Sequence, residues 1–246
     1  MFFKNNIFKC MMLSVVSGIV FVGAFNLADG GTVTGGSHAH IIPDKTSVFL
    51  SVLEKYKNPS KVYISWFRCF DTPGEDDLEL QALYGIKNSP GTCWATAGVS
   101  TLKYYKVKDS SLGIYNKFLS RAIQFYDPVV IQKGIKPSDY DDYFSVVLKD
   151  YRLGRYAENV SGKSQIISSA NESYRKDQIG VLLGDDHAMC CGGTFDVRVK
   201  YKSGNKTKEA TKTFMRVNTG VVKNPHEFAA YDPDAFNLKF RYMKIR

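Results

Sequence analysis

The chain contains the stretch SPGTCWATA at residues 89–97, and this stretch predicts a helix that has a cysteine as its first residue. Pro90 and Gly91 favour a turn, and a helix is predicted to begin directly at Cys93. A thiol at the start of a helix faces the positive end of the helix dipole, which favours the thiolate form. The small residues that follow Trp94 allow other backbone to approach this helix closely. We therefore expect Cys93 to be a nucleophile, with a buried structural cysteine as the alternative.

Helical periodicity dominates the chain from residue 44 to about residue 151, and a period of two dominates after Gln178. The predicted helices lie at Val48–Tyr56, from Cys93 to Tyr105, at about Leu112–Tyr126 and from Ser138 to Tyr151; one short buried strand is predicted at Val62–Phe67. The predicted later strands begin at Ile179, His187, Phe214 and Phe236. Helices followed by antiparallel strands predict an α+β fold, with an N-terminal helical lobe packed on a C-terminal β-sheet or barrel lobe. Residues 44–246 are expected to form this single catalytic domain.

The N-terminal segment has the composition of an export signal. Lys4 and Lys9 precede an apolar stretch from Cys10 to Phe25, and small residues at 22–24 suit cleavage. We predict a signal peptide at residues 1–24, the alternative being a membrane anchor. Residues 25–43 are rich in Gly, Ser and Thr and are predicted to be a flexible leader. The protein is therefore expected to be secreted or periplasmic.

Composition places the chain among folded soluble proteins, because 44% of its residues are hydrophobic and 23% are charged. The net charge is +9, and one denser basic patch crosses a predicted hairpin turn at Ser203–Asn205. This patch consists of Lys200, Lys202, Lys206, Lys208 and Lys212. A solvated hairpin tip is the expected role, and contact with an anionic surface or nucleic acid is the alternative.

The cysteine pattern limits disulfide and metal chemistry. Cys10 would leave with the signal peptide, and four cysteines remain. If Cys93 stays free, at most one bridge forms, for example between Cys69 and either Cys190 or Cys191. No Cys or His spacing indicates zinc, so neither a metal nor another cofactor is predicted.

Two further segments contain residues suited to assist a thiol. His187 follows an acidic turn and begins an apolar strand, where an imidazole can face a cleft and accept a proton. Asn218 lies where another strand meets a Gly turn, and its amide can orient an imidazole through the second ring nitrogen. A structural histidine and a turn asparagine are the alternatives.

Taken together, these segments resemble the papain-like (clan CA) cysteine peptidases, whose catalytic residues follow the order Cys, His, Asn or Asp. Residues 86–95 are similar to the papain nucleophile segment, including the Trp after the nucleophile, and residues 186–193 are similar to its histidine strand. Residues 93–104 and Val217–Asn218 are similar to segments of streptopain. The spacing from Cys93 to His187 is short for papain itself and is closer to that of compact relatives such as the staphopains.

The sequence departs from the family at two places. The family has a Gln shortly before the nucleophile to complete the oxyanion hole, whereas here no Gln is nearer than Gln81. Asn88 is the nearest amide side chain and is the candidate substitute. No Trp follows Asn218 to cover its contact with the imidazole, and Asp232 is the reserve candidate for the third position.

The resemblance implies a secreted cysteine peptidase that acts through Cys93, His187 and Asn218 and a thioester intermediate. It implies a protein or peptide substrate, and we expect no nucleic-acid partner, no stable membrane insertion and a monomer. A thiol acyltransferase or amidase on the same fold is one alternative, since these residues do not separate such reactions. A non-catalytic secreted binding module with a decayed site is the other.

Overall fold

The computed structural model describes residues 41–42, 44–71, 92–125, 134–136, 138–184, 187–220, 229–235 and 240–246. Its strands form one antiparallel sheet in the order β1-β7-β6-β5-β4-β8-β3, and β2 pairs with β5. The strands are β1 Ile41–Ile42, β2 Pro59–Cys69, β3 Ala157–Ser161, β4 Gly180–Leu183, β5 Ala188–Ser203, β6 Lys206–Asn218, β7 Ala229–Tyr231 and β8 Arg241–Ile245. The mixture of helices with an antiparallel sheet confirms the α+β prediction.

The helices that the periodicity predicts are all present. They are α1 Lys45–Leu53, α2 Cys93–Tyr104, α3 Ser111–Phe125 and α4 Tyr140–Asp150. A further helix, α5 Lys163–Arg175, and strand β3 were not predicted. The sequence of α5 is mostly polar, and its buried residues are few (Ile166, Ala170 and Ser173), so it contains little apolar signal.

Helices α2, α3 and α4 pack together beside β4 and the start of β5. Their shared core is aromatic, with Tyr115, Phe118, Tyr140, Tyr143 and Phe144 buried. Gly98 of α2 is required by this packing, because a Cβ at that position would lie 2.3 Å from the Phe118 ring. The close approach fixes the position of α2, and therefore of its first residue, Cys93.

Two further helices pack on opposite faces of the sheet. On one face, α1 packs Val48 and Val52 against a cluster that includes Val197 and Val199 of β5. On the other face, α5 covers the first half of β5, where Ile166 and Ala170 join a cluster that includes Met189 and Cys191. The first residues of β5 thus pack against α2 and against α5.

Three predictions about local environments are corrected. The predicted buried strand at Val62–Phe67 is part of a longer strand, β2, and Trp66 is 56% exposed and Phe67 44% exposed. Among the described strands β2 pairs only with β5, so it lies at an edge and its apolar residues reach solvent. Ile41 and Ile42, placed in the flexible leader, pair with β7.

The third correction concerns Lys212, for which the sequence predicts a solvated side chain at the hairpin tip. Its side chain is 9% exposed and forms an ion pair with Asp232. The turn at Gly204 between β5 and β6 is confirmed. No helix within the described ranges is long and apolar enough to cross a membrane. The predicted signal peptide and most of the leader lie outside those ranges.

Candidate active site

The candidate nucleophile begins helix α2. Thr92 is the N-cap residue, and Cys93 is the first helical residue, as the sequence predicts. Cys93 is partly exposed, whereas the residues that follow it from Trp94 to Leu102 are buried. The first turn of a helix presents N–H groups that its own hydrogen bonds do not use, and the dipole adds positive potential. This position favours a thiolate at Cys93.

Two buried tyrosines hold the first turn of α2 in place. The Tyr115 hydroxyl donates to Thr92 Oγ1 at 2.8 Å. The Tyr140 hydroxyl donates to the backbone carbonyl of Trp94. Burial raises the pKa of Tyr140 well above its ordinary value, so this phenol remains a hydrogen-bond donor. The nucleophile is therefore fixed from both neighbouring helices.

The structure brings the start of β5 to the Cys93 thiol. The backbone N–H of Ala188 donates to Cys93 Sγ at 3.4 Å, and these residues are 95 positions apart in the chain. His187 is the residue before Ala188. The N–H of Gly184, which follows β4, donates to the His187 carbonyl at 2.8 Å and links the end of β4 to the start of β5. The residue that follows the predicted base therefore contacts the predicted nucleophile. Thr101 of α2 also contacts Cys190 of β5, with 3.6 Å between Oγ1 and Sγ.

The imidazole of His187 is 8% exposed, and its Nε2 lies 2.8 Å from the backbone carbonyl oxygen of Thr219. A carbonyl oxygen only accepts hydrogen bonds, so Nε2 carries a proton in this contact. In a neutral imidazole the other nitrogen, Nδ1, is then the basic one. A base needs such an unprotonated ring nitrogen to accept the proton of a thiol.

Asn218 ends β6 directly before Thr219. Its side chain is buried, and its Oδ1 accepts a hydrogen bond from the Gly220 N–H at 2.9 Å. Gly220 has φ of +69°, a conformation that glycine adopts without strain. The Asn218 side chain thus stabilises the turn that directs the Thr219 carbonyl toward the imidazole. The contact from Thr219 was missed from sequence because a main-chain acceptor has no residue-type signal.

The remaining predicted residues have different outcomes. Asn88, the candidate oxyanion donor, lies outside the described residues. Asp232, the reserve third residue, binds Lys212 and accepts from the Asp234 N–H at 2.9 Å. The Asp232 carboxylate therefore binds Lys212 and the Asp234 N–H, whereas the described acceptor for His187 Nε2 is the Thr219 carbonyl oxygen.

The other cysteines differ from Cys93 in environment. Cys69, Cys190 and Cys191 are buried, and all four described cysteines are free thiols, so the disulfide considered from sequence is not formed. Burial is the largest cause that raises the pKa of each of these three thiols to about 12. They are protonated at neutral pH and poor nucleophiles. Across the described ranges, no cluster of three or more His, Cys, Asp or Glu residues is arranged to hold a metal.

No protein-family model and no curated protein matches this chain.

Proposed function

We propose that the chain is a papain-like cysteine hydrolase that cleaves peptide or amide bonds in a polypeptide substrate. The observation that carries the proposal is the contact between the Ala188 N–H and Cys93 Sγ. It brings the residue after the candidate base to a thiol at a helix N-terminus. A nucleophile beside a base that is itself oriented by a third group is the arrangement that covalent catalysis uses.

The proposed reaction proceeds through a thioester. Nδ1 of His187 takes the proton of the Cys93 thiol, and the thiolate attacks the substrate carbonyl carbon. The new C–S bond forms, the C–N bond breaks, and His187 returns the proton to the leaving amine. Water then attacks the thioester, with His187 as base, and the acid product leaves while the thiol is restored.

Two features support the other requirements of this reaction. The Thr219 carbonyl holds the proton on Nε2 and stabilises the imidazolium that forms during each transfer. The negative oxygen of the tetrahedral intermediate is assigned to the Cys93 backbone N–H and, by the family resemblance, to Asn88. We also propose export from the cytoplasm, on the composition of residues 1–24.

The test is labelling with an epoxysuccinyl thiol-protease probe, followed by intact mass. We expect one adduct at Cys93, because the thiols of Cys69, Cys190 and Cys191 are buried and protonated. The matched control is His187→Ala, which removes the base and should slow labelling by roughly a hundredfold or more. Equal labelling rates in the two proteins would contradict an activated pair and favour a binding module.

A second measurement separates hydrolysis from acyl transfer. A peptide substrate is incubated with and without an added primary amine, and the products are identified by mass. The peptidase proposal expects the acid product in both samples. Dominant capture by the amine would instead assign an acyltransferase to the same site.

A further inference from the structure

One face of the sheet carries an excess of positive charge away from the active site. Residues that pair directly across antiparallel strands share a face. The registers Lys61–Lys200, Tyr63–Arg198 and Arg68–Thr194 therefore place the cations of β2 and β5 together. We define the basic face by its cations Lys61, Arg68, Arg198, Lys200 and Lys202.

The opposite face of the same strands is apolar. Val62 pairs with Val199 and Ile64 with Val197, and these residues join the cluster under α1. The alternation therefore directs the cations outward, where the side chains of Arg198 and Lys200 are 41% and 45% exposed. The basic face continues beyond the part of β5 that α5 covers.

Within β2, β5 and β6 the basic face has two carboxylates for its five cations. Glu209 lies 3.1 Å from Arg198 and 3.6 Å from Lys200, and Asp196 lies 3.1 Å from Arg68. The pairs of Glu209 with Arg198 and Lys200 are exposed, and exposed ion pairs are weak, so they compete poorly with an added anion. The face therefore presents a net positive potential to solvent.

Aromatic rings on this face support the cations. The Lys61 ammonium lies 4.8 Å from the centroid of the Tyr63 ring, and the Arg68 guanidinium lies 4.6 Å from that of Trp66. One side of each ring is thus used by a cation. This arrangement favours recognition of anionic groups over the stacking of nucleic-acid bases, which requires open ring faces.

The spacing of the cations along β5 suggests the form of the ligand. Arg198, Lys200 and Lys202 alternate along the strand, so they are separated by about 6.6 Å, twice the rise of about 3.3 Å per residue. Alternate side chains of an extended polypeptide have the same repeat. Acidic residues at every second position of an extended chain would therefore meet successive cations.

An open pocket of about 580 Å³ lies at the end of the basic face nearer to the active site. Its lining includes Trp66, Arg68, Tyr174 and Arg175. Trp66 pairs with Asp196, eight positions along β5 from Ala188, which corresponds to about 26 Å. The pocket offers guanidinium groups to one acidic side chain of a bound segment and is well separated from Cys93.

We infer that the basic face is an exosite that binds an acidic, extended segment of a polypeptide. This inference rests on the proposed function only in naming the polypeptide as a substrate of the same enzyme. The binding itself does not require catalysis, so the two can be tested separately.

The test uses a Cys93→Ala protein and a labelled peptide of about 10 residues in which Glu and Ser alternate, a length that spans the face. Binding is followed by fluorescence anisotropy at low salt. Lys200→Gln with Lys202→Gln should weaken binding about fivefold, and added salt should weaken it further. The matched control is Lys206→Gln with Lys208→Gln, which removes the same charge from the other face of the same hairpin. It should change affinity less than twofold.

Three outcomes would overturn the inference. Equal losses in the two double variants would mean that only net charge matters. Tighter binding of a single-stranded oligonucleotide or of anionic lipid vesicles than of the peptide would assign a different partner. Absence of peptide binding in a protein whose unfolding midpoint is normal would reject the exosite, while probe labelling of Cys93 would still decide the catalytic proposal.

Discussion

His187 Nε2 lies 2.8 Å from the carbonyl oxygen of Thr219, and the Asn218 side chain binds the Gly220 N–H beside it. The group that orients the imidazole in this contact belongs to the main chain, and Asn218 acts on it through the turn. An asparagine that orients the base directly and an asparagine that stabilises a turn have different roles. The two roles predict different effects of substitution.

Asn218→Asp should therefore keep most of the activity, because a carboxylate oxygen can accept the same hydrogen bond from Gly220. Asn218→Ala removes that acceptor, and loss of about 1 kcal/mol of support should lower kcat/KM by roughly fivefold. The measurement is kcat/KM together with the rate of probe labelling for the two variants. Equal impairment by Asp and Ala would show that the amide group itself is needed.

A second prediction concerns the close contact that positions α2. Gly98→Ala places a Cβ within 2.3 Å of the Phe118 ring, so the helix or the ring must move. Overpacking of this kind should lower the free energy of unfolding by about 1–3 kcal/mol in urea titrations. Activity should also fall, because a shift of α2 displaces Cys93.

The control for this prediction is Phe118→Leu alone and combined with Gly98→Ala. The smaller side chain gives the new methyl group room, so Gly98→Ala should cost less in the Leu background. Additive losses in the double variant would show that the Phe118 ring is not the source of the strain.

The buried thiols predict how stability changes at alkaline pH. Burial raises the pKa of Cys69, Cys190 and Cys191 from 9.0 to about 12, so the folded protein holds these protons more tightly than the unfolded chain does. Their contribution to stability is complete below pH 9 and is lost as the pH rises toward 12. The free energy of unfolding should therefore decrease across this range in denaturant titrations.

Cys191→Val removes one of these thiols from an apolar cluster and should reduce the slope of stability against pH. A slope that is unchanged in this variant would assign the alkaline loss to other groups.

In the native protein at neutral pH, a small alkylating reagent should modify Cys93 among the described thiols, and denaturation should expose the others.

Residue patterns predict the local structure of the site, whereas only the family resemblance predicts that its segments come together. The residue types of Pro90 and Gly91 and the apolar period after them predict a helix from Cys93, and this helix and the strand after His187 are confirmed. The contact of Ala188 with Cys93 depends on the order of strands in the sheet, which local patterns do not encode.

Other features were missed for reasons that the structure explains. The apolar run at Trp66–Phe67 predicts burial, but its strand lies at an edge, which only the pairing reveals. Lys212 reads as a surface lysine because its partner, Asp232, is distant in sequence. Helix α5 is stabilised by tertiary packing of few apolar residues within a polar sequence, which leaves little apolar signal to predict it.

The hydroxyl of Tyr140 supports the first turn of α2, whereas the hydroxyl of Tyr143 supports α3. Tyr140 and Tyr143 are both buried in α4, and each donates its hydroxyl to a helix carbonyl, that of Trp94 and that of Phe118. Replacing either by Phe removes one buried hydrogen bond and should cost about 1 kcal/mol of stability. Tyr140→Phe should also lower kcat, because the Trp94 carbonyl belongs to the first turn of α2, next to Cys93. Tyr143→Phe should leave kcat within about twofold, since its partner lies in α3, away from the thiol. Urea titrations and kcat measured on the same preparations make the comparison, and equal loss of kcat in the two variants would mean that the core as a whole, and not the Tyr140 contact, positions Cys93.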